Sequence, residues 1–186
     1  MDILEFTKQA VESYVKTGKI ISPHKELGED FLNRKAGAFV TILKNKNLRG
    51  CIGTYMPTKK NIAEEIIYSA VAAASEDYRF GPIKKEELPS LSYEVYILDE
   101  PEMIKDMKEL NPKKFGIVVK AVPLSFPTGI DVAFSGHLRI KSGLLLPDLD
   151  GVDTVEQQIS IACQKAGINP LKEKITIYKF IAKKYR

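Results

Sequence analysis

Cysteine and histidine are scarce in this chain, with two of each in 186 residues. Cys51 and Cys163 stand far apart, and the opening Met1-Asp2-Ile3-Leu4-Glu5-Phe6 has neither the basic start nor the apolar run of an export signal. A disulfide framework is therefore excluded, and reduced thiols in a cytoplasmic protein are expected. No metal site is expected either, because pairing Cys51 with Cys163 has no ligand spacing behind it. His24 lies beside Pro23, and His137 lies in Gly136-His137-Leu138-Arg139. Neither belongs to a recognisable nucleophile motif, so no base is legible for a thiol dyad. No stretch approaches the ~18 uninterrupted apolar residues of a membrane span. Repeats and low-complexity tracts are absent as well. The net charge of +4 is spread in ones and twos, densest from Lys172 to Arg186. A nucleic-acid binder shows a denser basic stripe, so affinity for nucleic acid is expected to be weak and non-specific. Tyr93 and Tyr96 fall on opposite faces of one strand and make no platform for bases.

The composition, 44% hydrophobic and 28% charged, is that of a globular domain. Asp2 and Glu5 signal the start of a first helix, which Gly18 closes. Gly37 to Leu43 reads as a strand, Lys44-Asn45-Lys46-Asn47 as a polar hairpin connection, and Leu48 to Thr54 as the returning strand. Asn61 and Glu64 open a second helix whose wide face of small apolar residues predicts close packing on a sheet. Leu91 to Leu98 alternates as a strand and Gly116 to Lys120 forms another. Asp153 and Glu156 open a third helix that ends at Gly167 and carries Cys163 on its apolar stripe. Lys174 to Ile181 is the last predicted strand. Hairpins mixed with about three helices predict an α+β (mixed α/β) fold with a mostly antiparallel sheet.

Leu48-Arg49-Gly50-Cys51-Ile52-Gly53-Thr54 carries the chemistry. Read as a strand, it puts Leu48, Gly50 and Ile52 on one face and Arg49, Cys51 and Gly53 on the other. The apolar face belongs to the core, which leaves a guanidinium and a thiol to line a cleft. A free thiol is only a few per cent thiolate at neutral pH, and Arg49 would favour the anion needed for nucleophilic work. The alternative is that Cys51 fills a tight place and the glycines permit close packing. Asp77 and Arg79, just after the second helix, present the same choice. Arg79 can clamp a carboxylate or phosphate with Asp77 orienting it, or the two can form an ion pair that fixes the loop.

The hexapeptide Leu48 to Gly53 is identical to the hallmark of the AMMECR-type domain, and the chain resembles that family along nearly its whole length. Pro57-Thr58 with Asn61 to Ile66 is similar to the family's next helix. Asp77-Tyr78-Arg79-Phe80 resembles its Asp-Pro-Arg-Phe segment, with Tyr78 in place of proline. Gly143 to Pro147 and Lys165-Ala166-Gly167 match its C-terminal signatures. The resemblance, to the "AmmeMemoRadiSam system protein A" group, implies one domain over residues 1–186 with two unequal lobes around one cleft. It places Asp77 and Arg79 near the same cleft as the hexapeptide, and the residues themselves then make Cys51 the catalytic candidate and Arg49, Gly50, Gly53, Asp77 and Arg79 the ligand-binding candidates, with a small anionic ligand. It names no cofactor. Relatives occur with Memo-like and radical-SAM proteins, which implies a shared pathway. Two function classes follow: an enzyme or enzyme component acting through the thiol, or a non-catalytic module binding a protein partner or RNA. One departure from the family is the segment 121–141, whose Pro123, Pro127 and Gly129 read as an added loop or hairpin at the periphery.

Overall fold

The computed structural model of the protein describes residues 1–124 and 140–186. They form two compact units, Met1–Glu100 together with Lys183–Arg186, and Pro101–Ala182. Each carries a four-stranded, antiparallel sheet of its own.

Unit 1 opens with α1 (Ile3–Thr17), in which Ile3, Phe6, Ala10 and Val11 recur at helical spacing and are buried. The Asp2 carboxylate accepts from Leu4 N–H at its start, and Gly18 closes it with φ 72°. After the short α2 (Glu29–Asn33), β1 (Gly37–Lys44) and β2 (Asn47–Thr54) make the expected hairpin. Asn45 and Lys46 turn it with φ 51° and 67°, the backbone of a two-residue turn. α3 (Ile62–Ser75), capped by Asn61 at Glu64 N–H, lies on this hairpin, and β3 (Leu91–Leu98) pairs with β1. The strand order is β2-β1-β3-β8, where β8 is Ala182–Tyr185. Val40, Ile42, Ile66, Ala70 and Val95 have no exposed surface and form the centre of the core. The small residues of α3 serve the close approach expected of them. A Cβ added at Gly50 would stand 2.2 Å from the carbonyl oxygen of Ala73.

Unit 2 has the strand order β4-β7-β5-β6, with β4 at Glu102–Met103, β5 at Gly116–Pro123, β6 at Lys141–Leu145 and β7 at Glu173–Phe180. α4 (Val155–Ala166) packs on β6, and Ile117, Val119, Leu145, Ala162 and Cys163 are buried there.

Several expectations need correction. α4 is capped by Thr154 with Gln157 as its reciprocal partner, one residue after the Asp153–Glu156 pair. The strands β4 and β8 were not expected, because two and four residues carry too little alternation to register. β5 continues to Pro123 and β6 begins at Lys141, so Ala121 and Lys141, the ends of the expected insertion, are cross-strand partners. Residues 125–139, including His137, lie outside the described residues. Leu48 is not in the core but 42% exposed, for a reason that also shapes the site.

Candidate functional site

A two-residue turn at Asn45-Lys46 starts the hairpin with Lys44 opposite Asn47 and Leu43 opposite Leu48. Beyond that point the register slips, and Ile42 faces Gly50. Arg49 is the extra residue of a β-bulge, which reverses the alternation of everything before it. Gly50 and Ile52 then share the face of Val40 and Ile42, turned to α3. Cys51 lies opposite Thr41, and Gly53 opposite Phe39, on the face turned away from α3. Simple alternation therefore assigns Gly50 to Gly53 to their faces and fails for Leu48.

β2 is an edge strand, so Cys51 would show an unpaired amide and carbonyl to solvent. Asp77 and Arg79 occupy both. Cys51 N–H donates to Asp77 Oδ2 at 2.8 Å, and Arg79 Nη2 donates to the Cys51 carbonyl at 3.4 Å. The pair is itself closed by Arg79 Nε to Asp77 Oδ1 (2.9 Å) and Nη2 to Oδ2 (2.7 Å). Two side chains thus act as one more rung of the sheet. The hydrogen bond from Arg79 is the main reason that the Asp77 carboxyl, only 2% exposed, titrates at about 2. The same bond raises the Arg79 guanidinium further above its ordinary range. Arg79 is 43% exposed at its side chain, and its Nη1 meets no acceptor among the described residues.

Arg49 is committed differently. Its Nε and Nη2 form a fork on Glu87 at 3.0 and 2.9 Å, while Nη1 and Nη2 donate to the carbonyls of Gly81 and Pro82. Glu87 also accepts from Lys44 at 2.9 Å. The Arg49 bond is the main cause of a Glu87 carboxyl held far below the usual carboxylate range. All three guanidinium nitrogens of Arg49 are engaged, and the side chain is only 14% exposed.

Across the sheet, Cys51, Thr41 and Glu94 occupy one row on three adjacent strands, and Glu94 pairs with Lys184 of β8 at 2.9 Å. Cys51 Sγ is 3.3 Å from Thr41 Oγ1. The next row holds Gly53, Phe39 and Tyr96. A Cβ at Gly53 would stand 2.5 Å from the Phe39 ring, so the glycine gives that ring its place. Tyr96 contacts both Glu94, through its hydroxyl at 3.4 Å, and Lys184, whose nitrogen lies 5.2 Å from the ring. Behind this face, buried Glu65 of α3 ties down the end of β2. It accepts from Thr54 Oγ1 at 2.7 Å and from Thr58 N, Thr58 Oγ1 and Lys59 N at 2.7–2.9 Å.

The structure therefore brings Cys51, Asp77 and Arg79 into direct contact, leaves Arg49 in a separate ion pair, and uses Gly50 and Gly53 as close-packing positions. Thr41, Glu94 and Lys184 were not foreseen. Alternation in Leu91 to Leu98 puts Glu94 and Tyr96 on one face, but only the bulge brings Cys51 opposite Thr41. Cys51 is partly exposed and Cys163 buried. Burial is the chief cause of a raised Cys163 thiol pKa. Among the described residues no group of three or more acidic, histidine or cysteine side chains is placed to hold a metal ion. No helix among them is long and apolar enough to cross a membrane.

A family model described as AMMECR1 matches residues 4–185. A Thermotoga maritima protein is 44% identical over 96% of this chain and 93% of its own length. Protein CA_C1420 of Clostridium acetobutylicum is 39% identical over 98% of this chain, which spans 35% of that longer protein. Among solved structures, the uncharacterised protein PH0010 from Pyrococcus horikoshii superposes with a TM-score of 0.78 at 32% identity, over 97% of this chain and 87% of that one.

Proposed function

The chain belongs to the AMMECR1 family, and from the site itself we propose that it is an enzyme or enzyme component. Its substrate is a small anionic molecule bound against the Cys51 face of unit 1. The observation that carries this reading is the partly exposed Cys51, its thiol set beside the Thr41 hydroxyl, with the half-exposed Arg79 fixed at the Cys51 carbonyl. Arg79 holds the anion through Nη1, and Arg49 supports the strand from its pair with Glu87. Each charge-assisted contact of this kind contributes about 1.5–3 kcal/mol. Thr41 fixes the thiol's direction, and the thiol faces the bound substrate. In a pathway shared with Memo-like and radical-SAM proteins, as the family resemblance implies, this domain would act on their substrate or product in the cytoplasm.

The second reading is a non-catalytic binding module. It is favoured by how completely the motif is consumed by its own structure: Arg49 has no nitrogen left over, and Asp77 and Arg79 bond the main chain of Cys51.

Titration with inorganic phosphate, followed by amide chemical shifts, tests the anion site. The enzyme reading expects saturable shifts at Cys51, Gly53 and Arg79, with an affinity about ten-fold weaker in Arg79→Lys, which keeps charge but loses the planar fork. Shifts of equal size around every surface lysine would sink it. Native mass spectrometry of the purified protein should show a retained anionic molecule, still present in Cys51→Ser.

A further inference from the structure

Unit 1 contains a concavity whose lining does not include Cys51. A cavity of about 460 Å³ opens between α1, the turn Lys85–Ser90 and the start of β3. That volume is in the range that accepts small organic ligands. Leu4, Leu88 and Leu91 give it apolar walls, Glu5 and Glu12 border it from α1, and Tyr93 reaches it from β3.

Tyr93 supplies the observation that points to a ligand. The residue is only 9% exposed, and its hydroxyl makes no hydrogen bond among the described residues. Tyr93 is one of the residues that line the cavity. Burial is the main reason its phenol pKa is raised, with Glu12 and Glu5 adding to it, which puts both carboxylates within electrical reach of the hydroxyl.

The spacing selects the chemistry. Seven residues of helix separate Glu5 from Glu12, a distance of ~10 Å along the axis. One divalent metal ion cannot bridge that gap, since its oxygen ligands must lie ~2–2.6 Å from it. A chain with cationic ends and an apolar middle can. We propose that this cavity binds a linear aliphatic polyamine, its ammonium groups meeting Glu5, Glu12 and the Tyr93 hydroxyl and its methylenes lying on Leu4, Leu88 and Leu91. Lys8 and Arg186 also border the cavity and oppose the ligand. Lys8 stands 3.9 Å from Glu5, and Lys16 pairs with Glu12. These are solvent-exposed pairs of small individual worth, which a ligand carrying several charges displaces.

Spermidine is the probe, measured by calorimetry and by the rise in melting temperature at low salt. The wild-type protein should bind it saturably, and magnesium chloride at matched ionic strength should not reproduce the effect. Glu5→Gln with Glu12→Gln should weaken binding at least about ten-fold, the loss expected from two charge-assisted contacts. Tyr93→Phe should weaken it about three-fold, and Lys8→Gln should tighten it. The carboxylates are at the surface, so the double variant should fold, which its circular dichroism without ligand verifies. The proposal is overturned by no saturable binding to the wild type, by equal affinity in the double variant, or by an equal effect of magnesium.

Discussion

Asp77 works only while it is charged. Its carboxyl pKa is lowered in the folded protein from the ordinary 3.8 to about 2, so its contribution to stability is fully present above pH 4 and is lost as pH falls through about 2. By linkage that contribution is about 2 kcal/mol. Urea unfolding of the wild type and of Asp77→Asn should therefore differ at pH 6 and converge towards pH 2. A constant difference across that window would mean that the charge is irrelevant and only shape matters. Gly50 fails for a different reason. A methyl group there meets the backbone of Ala73, which cannot rotate away, so Gly50→Ala should destabilise by about 1–3 kcal/mol or more. Gly53→Ala meets a ring that can move as well as the Ala38 carbonyl, and should bring Phe39 out of place. Near-UV circular dichroism, sensitive to the packing of such rings, would show it.

The edge of β2 is protected by side chains instead of a neighbouring strand. The amide of Cys51 should consequently exchange with solvent as slowly as amides of β1, although it lies at the rim of the sheet. Asp77→Ala should bring that one amide to fast exchange while leaving β1 and β3 protected. Hydrogen exchange read by NMR decides this, and fast exchange in the wild type would remove the rung described above. Much at this scale was legible beforehand. Asp2, Gly18 and Asn61 mark real helix ends, and the hairpin follows from the polar run Lys44 to Asn47, although its turn is only Asn45-Lys46. The bulge was not legible, because nothing in Leu48-Arg49-Gly50 distinguishes an extra residue from regular alternation. The role of Asp77 and Arg79 was hidden for a related reason: their partner is a main-chain peptide, which leaves no pattern in the sequence. The capacity of Arg49 was misjudged because Glu87 lies 38 residues away, in a turn whose pairing with β2 only the tertiary fold determines.

At the scale of the whole molecule, each unit carries one cysteine, and the two thiols report different things. Cys51 should be alkylated by iodoacetamide in the folded protein, since its thiol lies on a partly exposed strand face. Cys163, on the buried face of α4, should react only when unit 2 opens. Peptide mapping after brief alkylation should show modification at Cys51 well before Cys163, and equal rates would withdraw Cys51 as a nucleophile. The connectivity of the units has a consequence in time. Unit 1 takes its first three strands from the start of the chain and its fourth, β8, from residues made after all of unit 2. At ~5–20 residues per second the ribosome needs roughly 4–16 s to cross that interval. Throughout it the edge of β3 has no neighbour, Glu94 lacks Lys184, and Phe31 lacks the ring of Tyr185 that later meets it edge-on. The nascent chain therefore carries a sticky strand margin for seconds, and a slow translation site within unit 2 would lengthen its exposure to misassembly on crowded polysomes.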